Sequence, residues 1–312
     1  MTPLTIDKHA GTEGAVPPSP AGKAAKGRKR GTAKPYLTGG ALLTISVLLI
    51  GICAQLVLLS PLQHRAAQSA GFDRLRGELA AGTVAVSQAD QQGRLLRPGT
   101  PLMLLEIPKL HVRQVVFEGT DSDVLAKGPG HRRDTLLPGQ AGTSVLMGRA
   151  AAYGGPFGHL DDLTPGDTFR ITTGQGRFTF RVLDLRHAGD RAPDAPAAGR
   201  SRVVLMTATG PPYLPEGVLR LDADLVGTAA DTPALRIVPD SLPAAELPLH
   251  GDSVVWWQVV LWLQALAAAS AAAVWAWFRW GRRQTWVVFT GLLGAIGLQV
   301  AEQVTRLLPN LL

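Results

Sequence analysis

The sequence predicts a small all-β domain, a barrel or a sandwich, carried outside a membrane between helical spans. Three observations point that way. Seven short strand-like runs fall between residues 103 and 225 with Gly and Pro between them, three uncharged or nearly uncharged apolar runs flank them, and positive charge collects at the ends of the chain.

The elements follow in chain order. Residues 1–36 form a tail in which Lys8, Lys23, Lys26, Arg28, Lys29, Arg30 and Lys34 oppose Asp7 and Glu13, a net of +5. Residues 37–60 hold only Thr38, Thr44, Ser46, Gln55 and Ser60 as polar side chains. At 1.5 Å per helical residue this run crosses a hydrocarbon core of ~30 Å. It is expected to be retained as an anchor, because a cleaved signal would have a shorter apolar run nearer the start. Residues 61–98 open with a proline-free helical stretch, 63–81, that carries Leu75 and Leu79.

Strands are expected at 103–107, 112–117, 144–147, 168–172, 178–183, 203–206 and 218–225. The clearest hairpin alternates on both sides of Gly174-Gln175-Gly176. Residues 229–253 contain Pro233, Pro239, Pro243 and Pro248 with little periodicity, which reads as an extended linker. Two further spans, 254–278 and 284–303, complete the chain. All seven tryptophans belong to this pair, and all but Trp262 lie near its ends or its turn, as interfacial belts require.

Charge fixes the expected orientation and excludes one function class. The stretch from Arg279 onward carries a net of +3, so of the chain's +7 about −1 is left for everything between the two basic ends. A nucleic-acid groove in the β domain is therefore not expected, and the basic tail and the turn at 279–283 are read as cytoplasmic topology signals. Residues 61–253 are then extracytoplasmic, and the lipid bilayer is the one partner that composition implies.

Several ordered motifs carry a resemblance. Leu105-Glu106-Ile107-Pro108-Lys109-Leu110, Glu118-Gly119-Thr120, Gly128-Pro129-Gly130-His131, Tyr153-Gly154-Gly155-Pro156-Phe157 and Pro165-Gly166-Asp167 together resemble the bacterial sortase domain over residues 99–228. The resemblance implies an eight-stranded barrel, anchored to the cell membrane and facing the envelope. It also implies a chemistry. A cysteine thiolate attacks the Thr-Gly carbonyl of a signal similar to Leu-Pro-x-Thr-Gly, a histidine protonates the leaving amine, an arginine steadies the oxyanion, and an amine resolves the thioester.

Residue by residue, the chain departs from that pattern. Its one cysteine, Cys53, lies inside the first apolar run. The strand expected to end in Thr-Cys reads Val203-Val204-Leu205-Met206-Thr207-Ala208-Thr209, with Ala208 at the nucleophile position. The histidine position, in Met147-Gly148-Arg149-Ala150, holds Arg149, and Arg220 matches the family arginine on the last strand. An alanine methyl attacks no carbonyl, and a guanidinium is no acid or base near neutrality.

Thr207, Thr209, Tyr153 and His131 are expected to line a peptide groove. His131 and His159 are assigned to turns or surface, and the acidic residues Asp121, Asp123, Asp161 and Asp162 to water-facing turns rather than a metal site. No cofactor or metal is expected. The expected function is that of an inactive pseudo-sortase binding a sorting-signal peptide, a surface protein or an active sortase. The alternatives are a cysteine-independent acyl transferase and a structural envelope scaffold.

Overall fold

The computed structural model describes residues 34–252 and 255–312, with side chains of the first helix from residue 41 onward. The basic tail, apart from the backbone of its last residues, lies outside the described residues. Helix α1 (Lys34–Ala54) passes through a π turn at Gln55–Leu59 directly into α2 (Ser60–Ala81). Gly82, in the left-handed region at φ 65°, ends α2 by returning its N–H to Glu78 and Leu79. Helices α4 (Trp256–Arg279) and α5 (Arg282–Leu307) form an antiparallel pair. Three helices are thus long and apolar enough to cross a membrane, one before the β domain and two after it.

These helices pack through small residues. A Cβ on Gly51 of α1 would stand 2.9 Å from the carbonyl oxygen of Gly297 in α5, so neither position has room for a larger side chain. Thr44 donates to Ser270 of α4 at 3.0 Å, a polar tie between two apolar helices. Leu266, Ala269, Ala273, Leu293 and Val300 form the buried seam.

The β domain is a closed barrel of eight strands. They are β1 (Pro101–Ile107), β2 (Val112–Glu118), β3 (Gly130–His131), β4 (Gly142–Met147), β5 (Thr168–Thr173), β6 (Gly176–Arg186), β7 (Ser201–Thr209) and β8 (Gly217–Val226). Their order around the barrel is β1-β2-β3-β4-β7-β8-β6-β5. The pairs β2/β3 and β4/β7 are parallel and the remaining pairs are antiparallel.

Period-two alternation sorts the side chains. Leu105, Ile107, Leu146, Phe169, Phe180, Leu205 and Leu221 fill the interior, with the Phe169 and Phe180 rings stacked at 5.8 Å. Short helix α3 (Ser122–Lys127) sits beside the barrel, its first turn capped by the Asp121 carboxylate, which accepts from the Val124 N–H at 2.8 Å.

The seven expected strands are present, and the eighth is the two-residue β3. It lies in the Gly-Pro-Gly-His turn, where no alternation announces it, yet it closes the sheet between β2 and β4. Its His131 is fully buried, which corrects the surface or turn assignment. The imidazole makes hydrogen bonds to Glu118 at 2.8 Å and to the Leu136 carbonyl oxygen at 2.9 Å.

Residues 229–252 run along the barrel rather than spanning free solvent. The Gln88 carboxamide oxygen accepts from the Arg236 and Ile237 N–H groups, Arg132 pairs with Asp240, and Arg133 pairs with Glu246. A proline-rich stretch without periodicity thereby satisfies its backbone through side chains of the domain it follows.

Burial works against a charged His131, but Glu118 and the Leu136 carbonyl outweigh it and raise the imidazole pKa above its ordinary 6.5. A raised folded-state value means that this stabilisation is complete below about pH 6.5 and falls away as pH rises through the higher value. The expected outcome for Glu118→Gln is loss of that slope in urea-unfolding series between pH 6 and 9. A stability loss of about 1–3 kcal/mol should accompany it, since the imidazole then loses its charged partner.

Candidate functional site

The rim where β7 ends carries a cavity of about 400 Å³. Thr207, Ala208 and Thr209 line it from β7, with Ala150, Phe157, Asp161, His187, Tyr213 and Leu312 among the surrounding residues. Register places the strand residues. Ala208 stands opposite Val218, and Arg220 of β8 stands opposite Met206, two positions from Ala208 along the same pleat. Ala208, Met206 and Val204 therefore project from the outer face of the barrel together with Val218 and Arg220. Thr207 alternates to the other side, where its hydroxyl is buried with no hydrogen-bond partner among the described residues.

Arg149 follows β4 and leaves the strand away from that cavity. Its guanidinium is 2% exposed and donates to the Ser122 carbonyl oxygen at 3.1 Å and to the Leu312 carbonyl oxygen at 3.3 Å. It also lies 4.8 Å from the centre of the Tyr153 ring. Burial pushes its pKa down to about 10, which still leaves it charged near neutrality.

Arg149 and Tyr153 line a separate cavity of about 360 Å³ with Gln63, Asp123, Glu302 and Arg306. There the barrel meets the helices. Arg306 of α5 pairs with Asp123 at 3.2 Å, and the Tyr153 hydroxyl lies 3.4 Å from Thr305. Tyr153 holds a left-handed backbone at φ 53°, a conformation costing roughly 1–2 kcal/mol, and these contacts fix it in place.

The structure therefore gathers Ala208, Thr207 and Thr209 at one cavity with Arg220 on the adjoining strand face, and sends Arg149 and Tyr153 to another. Leu312 touches both groups, since its carbonyl accepts from Arg149 while the residue lines the cavity at Ala208. His131 belongs to neither, because its ring is sealed under β3.

Sequence reasoning missed His187, which sits just past β6 at the Ala208 cavity, with its N–H held by Asp190 at 2.6 Å. Its Arg-His-Ala-Gly-Asp surroundings match none of the motifs, so only the fold reveals it. Of the acidic turn residues, Asp121 caps α3 and Asp123 faces Arg306. Among the described residues no group of three His, Cys, Asp or Glu side chains is placed to hold a metal ion.

A family profile described as the sortase domain matches residues 105–220, the span from mid-β1 to mid-β8. Those residues form a sortase domain. Sortase D of Bacillus subtilis is 36% identical over 83 residues, which cover 27% of this chain and 40% of that protein. Sortase SrtE1 of Streptomyces coelicolor is 34% identical over 95 residues, covering 28% and 27% respectively. The chain thus spans less than half the length of either relative. Among solved structures, a Clostridium perfringens Sortase D5 transpeptidase aligns over 52% of this chain and 99% of its own, with 19% identity and a TM-score of 0.44. Within this sortase domain, then, the end of β7 carries a methyl group and the end of β4 a buried guanidinium.

Arg149→Ala should unpair two carbonyl oxygens and free the Tyr153 ring. The expected loss is about 1.5–3 kcal/mol for the charged hydrogen bonds removed, read from chemical denaturation of the purified full chain in detergent.

Proposed function

We propose that this chain is a membrane-anchored pseudo-sortase of the bacterial cell envelope. Its barrel lies outside the membrane, its N-terminus is cytoplasmic, and it binds a sorting-signal peptide, a surface protein or a partner sortase without transferring it. The observation that carries the reading is Ala208. At the strand end where the family places its nucleophile, the cavity is present and the thiol is not. The remaining vestiges agree with it, since Arg149 occupies the histidine position with its guanidinium engaged by Ser122 and Leu312. Arg220 retains the arginine position on β8, beside Met206. Extended-peptide recognition rests on wall shape and backbone bonds, and loss of the thiol leaves those in place.

The basic tail and the basic turn at 279–283 support the orientation.

One observation favours a second reading, an acyl transferase that uses a hydroxyl. His187 lines the same cavity as Thr207 and Thr209, so an imidazole and two hydroxyl-bearing residues border one space. One incubation separates the two. The full chain in detergent is mixed with Leu-Pro-x-Thr-Gly peptides and an amine acceptor, then followed by mass spectrometry.

The pseudo-sortase yields intact peptide and unmodified protein. Cleavage, or an ester adduct on Thr207 or Thr209 abolished by His187→Ala, would replace that reading with the second. In the double variant Ala208→Cys with Arg149→His, a peptide thioester is expected on the introduced thiol, which places the vestigial site. Photocrosslinking from position 208 in cells should capture a peptide-bearing partner; a scaffold with an unused groove would capture none.

A further inference from the structure

The outer face of β4 and β7 is covered in this chain by the chain itself. Val145 and Met147 of β4, Val204 and Met206 of β7 and Val218 of β8 form an apolar patch, with Ala208 packed at its edge. Leu311 lies on this patch, fully buried, and Leu249 packs beside it. The covering segment begins where α5 stops. Leu308 turns extended at φ −67° and ψ 153°, Pro309 prevents the helix from continuing, and the next three residues run onto the barrel.

We infer that this face is a peptide-binding surface whose resident ligand is residues 308–312 of the same chain, seated where an incoming extended peptide would lie. The bonding is that of a recognised peptide. The Leu311 carbonyl accepts from the Ala150 N–H at 2.9 Å, and the Leu312 carbonyl accepts from Arg149 at 3.3 Å. The Asn310 N–H donates to the His250 carbonyl at 3.0 Å, and its side-chain amide donates among the carbonyl oxygens of Thr120, Leu247 and Ala245 at 2.9, 3.0 and 3.3 Å. Backbone bonds to Ala150 and His250 hold the segment and one apolar side chain fills the patch, so main-chain bonds and a side-chain seat divide the work as they do in extended-peptide recognition. Leu308-Pro309-Asn310 also reads as the opening of the Leu-Pro-x pattern given above, although the inference stands on the contacts alone.

The fit is good but incomplete. Asn310 Oδ1 and Arg149 Nε are buried with no hydrogen-bond partner among the described residues, and each unpaired group weakens the hold. Tethering compensates, since a short covalent link keeps the segment at an effective concentration on the order of millimolar. A free peptide of similar sequence therefore competes poorly with it, and a partner that draws α5 away from the barrel exposes the face. Only the identity of the competitor rests on the proposed function; the occupancy does not.

The test uses the full chain in lipid nanodiscs, in a Cys53→Ser background with the reporter Met206→Cys, a buried position in the same apolar cluster as Leu311. Labelling by a membrane-impermeant maleimide is timed with the segment intact, with residues 308–312 deleted, and with the double substitution Asn310→Ala, Leu311→Asp. The expected result is labelling at least tenfold faster in both altered chains, with an unchanged cooperative melt in at least one of them. Synthetic acetyl-Leu-Pro-Asn-Leu-Leu, added to the deleted chain, should restore protection.

Equal labelling rates would overturn the inference. So would fast labelling that the peptide fails to slow, or loss of the cooperative melt in both altered chains, since the segment would then be part of the fold and not a ligand. A Leu-Pro-x-Thr-Gly peptide is tested alongside. Its failure to protect, where the chain's own sequence succeeds, would count against the proposed ligand class and leave the resident segment standing.

Discussion

One buried carboxamide joins the parts of this molecule. The Asn310 side chain, fully excluded from solvent, is clasped by carbonyl oxygens from the Thr120 turn and from residues 245 and 247 of the segment leading to α4. Three stretches of chain that are distant in sequence therefore meet at one amide. Because a buried amide without partners is costly, the arrangement specifies a single seat for the segment after α5. From that seat follow the docking of the barrel on the helices, the cover over β4 and β7, and the engagement of Arg149 by Leu312.

This constraint also sets the surroundings of Ala208 in the sortase domain. The end of β7 carries the methyl group of Ala208, and the side chains around it are engaged elsewhere. Arg149 is turned toward Tyr153 and Ser122, Leu312 stands between it and the Ala208 cavity, and the outer strand face is occupied. A guanidinium held by two carbonyl oxygens and an aromatic face has a structural role, which accounts for arginine at a position where the family resemblance implies histidine.

Much of the fold was legible in the sequence because its signals are periodic. Seven strands announced themselves by alternation and turn residues, and the three spans by unbroken apolarity. β3 did not, because two residues cannot display a period. The position of Ala208 was legible from the ordered motifs around it, since a strand end is fixed once its neighbours are. The fates of Arg149 and His131 were not, because a side chain's direction depends on what packs against it. Tyr153 turns on a left-handed backbone and Gly130-His131 is drawn into the sheet, and neither event has a local signature. The segment 308–312 was equally silent: five mostly apolar residues after a span display no period, and their destination on the barrel is a tertiary fact. His187 reaches the cavity only because β6 runs eleven residues and delivers it to the rim.

The chain's own residues 308–312 occupy the face of the sortase barrel beside Ala208. Hydrogen exchange at the Ala150 amide tests it most directly, since that N–H donates to the Leu311 carbonyl. The expected result is slow exchange in the full chain, comparable to the strand amides of β4, and acceleration in Asn310→Ala with β4 itself unchanged. Exchange of the Ala150 amide at loop rates in the full chain, while β4 stays protected, would contradict it.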